Sequence, residues 1–62
     1  MTLTQKSSLF SLLSQSGKTD KTGEDLYSAL GKLSDKQYRY LIALNYKMDY
    51  IKINEVISQV AN

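Results

Sequence analysis

Four apolar clusters recur along the chain at helical spacing, with short polar stretches between them. The first comprises Leu9, Leu12 and Leu13, flanked by Phe10, with Leu3 one heptad before it. Thr4 is a candidate N-cap, and Gly17 a natural stop because glycine tolerates the left-handed conformation past a helix end. These signals predict a helix over about 4–16. The polar run Lys18-Thr19-Asp20-Lys21-Thr22-Gly23 reads as a loop. Leu26, Ala29, Leu30 and Leu33 then form a stripe that predicts a second helix over about 23–32. Thr22 and Asp25 resemble a short capping box, with acidic residues at the positive end of the dipole.

Ser34-Asp35-Lys36-Gln37 is the clearest start signal, since Ser34 can cap and Gln37 can reach back to it. It opens a third helix over about 34–48. At about 100° per residue, Tyr38, Tyr40, Leu41, Ile42, Leu44 and Met48 cover more than half its circumference. That breadth predicts a central helix packed on at least two neighbours. Asn45, among these apolar positions, reads better as marking the helix end than as a register-setting buried amide. Ile53, Val56, Ile57 and Val60 form the last stripe. Continued without a break from the third helix, it would be centred about 130° from the Leu41/Leu44/Met48 stripe. A break is therefore expected between Asn45 and Asn54, with Asp49 or Asn54 capping a fourth helix over about 50–61. The competing reading is a short strand at Tyr50-Ile51-Lys52-Ile53, disfavoured because no partner strand is evident. The expected fold is one all-α domain, a small bundle of three to four short helices around the third.

Composition narrows the function. The 62 residues contain no His, no Cys and no Pro. A chain this short hides only about 60% of its unfolded surface, and disulfide and zinc staples are unavailable to it. Good helix packing in a monomer, or a homo-oligomer sharing its core, are the two remaining routes to stability. No segment is apolar enough to span a membrane. Ser7, Ser8, Ser11 and Ser14 interrupt the first apolar run and argue against a signal peptide, so a cytoplasmic protein is expected.

The absence of His and Cys also removes the side chains that most often transfer protons, attack substrates or bind transition metals. Glu24 and Asp25 are adjacent carboxylates, but sequence neighbours do not face each other on a helix. No phosphate-loop, dinucleotide or zinc-protease motif occurs. The sequence thus argues against an enzyme and calls for no metal or cofactor.

What remains is surface. On the third helix Lys36, Arg39, Ala43, Tyr46, Lys47 and Tyr50 fall within about 100°, opposite the apolar stripe. Cations beside tyrosines suit protein contact, where Tyr and Arg are enriched at hot spots, or phosphate contact with base stacking. The plainer reading is a solvated face. Helix-turn-helix architecture fits loosely, but its alanine–glycine spacing is missing: Ala29 is followed four positions later by Leu33, and Ala43 by Lys47. The first helix's Ser/Thr-rich polar face resembles lipid-packing sensors, although Leu9, Phe10, Leu12 and Leu13 are better used in the core. The net charge of +2 (8 basic and 6 acidic residues) neither demands nor excludes an anionic partner. The expectation is a small interaction or regulatory protein docking on another protein, alone or as a homo-oligomer. The alternative is a nucleic-acid-binding regulator. The candidate binding residues are Lys36, Arg39, Tyr46, Lys47 and Tyr50.

Overall fold

Helix ends decide this architecture. A computed structural model describes residues 1–62, which form α1 (Leu3–Ser16), α2 (Gly23–Leu30), α3 (Asp35–Tyr46) and α4 (Tyr50–Ala61), with no strand. None of the four is long and apolar enough to cross a membrane.

The cap of α1 is Thr2 rather than Thr4. Gln5 N–H donates to Thr2 Oγ1 at 3.1 Å, and Thr2 N–H donates to Gln5 Oε1 at 2.8 Å. This reciprocal box satisfies two end groups at once and starts the helix at Leu3. The Thr22–Asp25 box does not form: Thr22 takes the extended cap geometry, but its side chain makes no capping bond. The expected box at α3 does form, with Gln37 N–H to Ser34 Oγ at 3.2 Å and Ser34 N–H to Gln37 Oε1 at 2.9 Å. Of the two candidates for α4, Asp49 is the cap, accepting from Lys52 N–H at 3.3 Å. The strand reading of residues 50–53 is thereby overturned, because Asp49 opens a helix through them.

α2 ends earlier than expected, at Leu30, where tight turns take over. Lys32 N–H bonds Ala29 C=O at 3.0 Å, and Leu33 N–H bonds Leu30 C=O at 3.2 Å. Gly31 has an ordinary helical φ of −65° here. What glycine provides is room, since a Cβ at this position would lie 2.8 Å from Lys6 Nζ. That ammonium sits 4.0 Å from the Tyr27 ring centroid. Phe10 meets the same ring edge-on, at 5.3 Å between centroids and 89° between planes. These contacts clamp α1 to α2.

Ten aliphatic side chains make the core: Leu9 and Leu13 of α1; Leu26, Ala29 and Leu30 of α2; Leu33 of the turn; Leu41 and Leu44 of α3; Ile53 and Ile57 of α4. No polar side chain is buried with them. The accessible area is 4213 Å² for 7.0 kDa, close to the roughly 4,000 Å² a self-contained monomer of this mass exposes. The core closes within one chain, and α1 places Leu9 and Leu13 inside it.

The central position belongs to α2 and α4 rather than α3. α2 packs on α1 and α4, while α4 packs on α2 and α3. The expectation for α3 failed because its apolar breadth included phenols, whose hydroxyls are at home in water. Tyr38 and Ile42 are only half-buried, and Tyr40 and Tyr46 are exposed. Asn54, the other candidate cap, instead ties the α1–α2 loop to α4. Its Nδ2 donates to Lys18 C=O at 3.0 Å and Tyr50 C=O at 2.9 Å, and its Oδ1 accepts from Asp20 N–H at 2.9 Å.

At the start of α3, the Met1 ammonium donates to the Asp35 carboxylate. That hydrogen bond and its charge, with a smaller contribution from Arg39, hold the Asp35 pKa below its ordinary 3.8.

Two predictions follow from these contacts. Removing the ammonium with Lys6→Ala frees the space beside Gly31. Gly31→Ala should therefore be more favourable in the Lys6→Ala background than in the wild type, by about 0.5–1 kcal/mol. Thermal unfolding of the four proteins checks this, and additive effects would contradict the clamp. Asp35 supplies a pH signature. A depressed folded-state pKa gives stability that is complete above the unfolded value and lost as pH falls through the folded one. Wild type should therefore exceed Asp35→Asn in stability at neutral pH, with the gap closing below pH 3.8 in acid titration.

Candidate functional site on the outer face of α3

The backbone at the end of α3 sets this surface. Met48 N–H donates to Asn45 C=O at 3.1 Å, and Asp49 N–H donates to Leu44 C=O at 2.9 Å. These two bonds define a Schellman closure, which requires a left-handed residue just past the helix. Met48 occupies that position at φ 60°, the only non-glycine residue with positive φ. The corresponding role at the end of α1 is taken by Gly17, at φ 63°. Glycine adopts this conformation freely, whereas a residue with a Cβ is strained by about 1–2 kcal/mol.

The closure removes Met48 from the α3 stripe expected for it and leaves the residue 73% exposed. It also separates Tyr50 from the face expected to hold it. Tyr50 opens α4 and is half-buried, with Lys18 Nζ lying 5.8 Å from its ring centroid. Tyr50 therefore belongs to the contact between the α1–α2 loop and α4.

The remaining candidates stay together. Lys36, Arg39, Ala43 and Tyr46 are all exposed along α3, and Lys47 is exposed at its C-cap. Tyr46 is 91% accessible, a phenol almost wholly in water. Tyr40, counted in the sequence among core positions, joins this face. On the wheel it lies about 40° from Lys36 and about 40° from the buried Leu44, so its angular position alone does not assign it. With Lys36 and Gln37 it borders a shallow depression of about 310 Å³. Past the corner Ile51 is also exposed, beside a second depression of about 390 Å³ shared with Asp20, Asn54, Glu55 and Ser58.

The outer face of α3 carries a positive excess: Lys36, Arg39 and Lys47, against Asp35, which holds the Met1 ammonium and lies one turn before Arg39. The pairs within 4.0 Å are Met1 ammonium with Asp35 and Lys52 with Asp49. Lys36, Arg39 and Lys47 have no carboxylate within that distance. No group of three or more His, Cys, Asp or Glu side chains converges anywhere in the molecule.

The strain at Met48 is measurable. Met48→Gly should raise stability by about 0.5–1 kcal/mol, by relieving the left-handed Cβ. Met48→Ala keeps the Cβ and loses no buried contact, so it should stay within about 0.5 kcal/mol of wild type. Chemical denaturation distinguishes the two; equal effects would place the strain elsewhere.

No family model, curated protein or solved structure matches the chain.

Proposed function

We propose that this chain is a non-catalytic interaction protein that docks on another protein through the outer face of α3 and the α3–α4 corner. The observation that carries this reading is Met48. Glycine would serve the fold better there, because methionine adds backbone strain and leaves an apolar side chain in water. Strained residues cluster where a surface does work for something other than folding. Methionine is flexible and polarisable, which suits a contact that must adapt to its partner. Tyr46 and Arg39 add the residue types most enriched in binding hot spots.

Nucleic-acid binding is the second reading, favoured by the unpaired Lys36, Arg39 and Lys47 beside Tyr40 and Tyr46. Three phosphate contacts would give a log–log salt slope near about −2.7 on a duplex. Protein docking depends less on salt and more on Tyr46 and Met48. The proposed setting is the cytoplasm, on the serine-interrupted apolar run of the first helix.

In-cell photo-crosslinking tests the reading. A photoreactive phenylalanine placed at Tyr46 or Met48 should give discrete protein adducts that are absent when the probe replaces Glu24 or Gln15. An adduct at twice the chain's mass would identify a second copy as the partner. A nuclease-sensitive adduct, or the same adducts from all four positions, would defeat the docking proposal.

A further inference from the structure

The outer face of α3 has an order that its exposure alone does not explain. Lys36, Arg39, Ala43 and Tyr46 are spaced three, four and three residues apart, the spacing of a seam along which two helices pack side by side. All four point to solvent. Over its 12 residues α3 runs for about 18 Å. Ala43 lies in the middle of the seam, where its small side chain lets a second backbone approach. Tyr46 stands at one end as a knob, with Met48 just beyond it. Lys36 and Arg39 stand at the other end.

Arg39 feels the Asp35 carboxylate one turn before it, whereas Lys36 and Lys47 have no ion-pair partner within the chain. Asp35 holds the Met1 ammonium, and Asp49 caps α4 and pairs with Lys52. No carboxylate lies within 4.0 Å of Lys36, Arg39 or Lys47. The fold has no strand and so offers no sheet edge for an extended peptide to join. An apolar Met48 and a small Ala43 contribute little to a phosphate backbone, which is held through cations and hydrogen-bond donors.

We infer that the occupant of this face is an acidic amphipathic helix of another protein. It lies along α3 with carboxylates opposite Lys36, Arg39 and Lys47, and an apolar side chain seated on Ala43 against Tyr46. This inference rests on the docking proposal above and specifies its partner.

The test is a display selection on the folded 62-residue protein, using helical peptides randomised at their seam and flanking positions. Enriched peptides should be acidic, with apolar residues at seam spacing. Their affinity should fall about tenfold or more on Arg39→Glu and on Tyr46→Ser. It should hold on Lys18→Glu, the same charge change in the α1–α2 loop. Circular dichroism confirms that each variant is folded, which the exposure of these residues favours. Enrichment of basic or uncharged peptides that still depend on Tyr46 would overturn the acidic helix and leave the docking proposal standing. Failure to enrich any peptide would overturn the inference. If a single strand of about 20 nucleotides, or vesicles of phosphatidylserine and phosphatidylcholine, bound instead and lost binding in the Arg39→Glu and Tyr46→Ser variants, both readings would fall.

Discussion

Burial of ten aliphatic side chains, with no polar group among them, is the interaction on which the rest of the molecule depends. A chain of this size has little apolar surface to hide, and it has no disulfide to limit its unfolded state. Each helix contributes two or three residues to one shared cluster, so none of the four has an independent core. The polar ends of the helices must then be satisfied locally, without drawing side chains inward. Two reciprocal capping boxes, the Asp49 cap and the Schellman closure of α3 meet that need at the surface.

The closure of α3 links stability to the candidate surface. Ending the helix at Tyr46 turns the chain so that Ile53 and Ile57 reach the core. The same turn projects Met48 outward and leaves Tyr46 without a neighbour to cover it. A continuous helix would have aimed the last apolar stripe about 130° away from the Leu41/Leu44 stripe, as the wheel requires. The break is therefore necessary for the fold, whereas a methionine at the break is not. That difference separates what folding requires here from what the proposed docking surface would require.

Electrostatics acts in the same direction. The acidic side chains nearest α3 are engaged by the chain itself, Asp35 with the Met1 ammonium and Asp49 at the start of α4. Pairing those two carboxylates elsewhere leaves the cations of α3 facing solvent. With a net charge of only +2 over the whole chain, the positive excess of this face is a product of pairing rather than of composition. Its seam spacing and its charge are independent properties, and both are presented by one helix.

The sequence by itself determined the all-α class, a bundle of three to four helices, the Ser34–Gln37 cap, the loop after Gly17 and the break after α3, while the structure settled residues 50–53 as helix. Each is a local property, written in spacing of three and four residues or in one capping side chain and its neighbour. Lys36, Arg39, Tyr46 and Lys47 were legible as one face for the same reason. Only the tertiary structure decided which helices occupy the middle, because hydropathy counts a tyrosine as apolar while packing decides whether its ring is covered. It moved Tyr50 to the α1–α2 loop and Tyr40 to the surface, and it gave Asn54 its role as a tether. The positions of Tyr50 and Asn54 depend on contacts between residues more than thirty apart, Tyr50 with Lys18 and Asn54 with Lys18 and Asp20. Nor could periodicity reveal the strain at Met48, since its φ is imposed by two hydrogen bonds that close the helix over it.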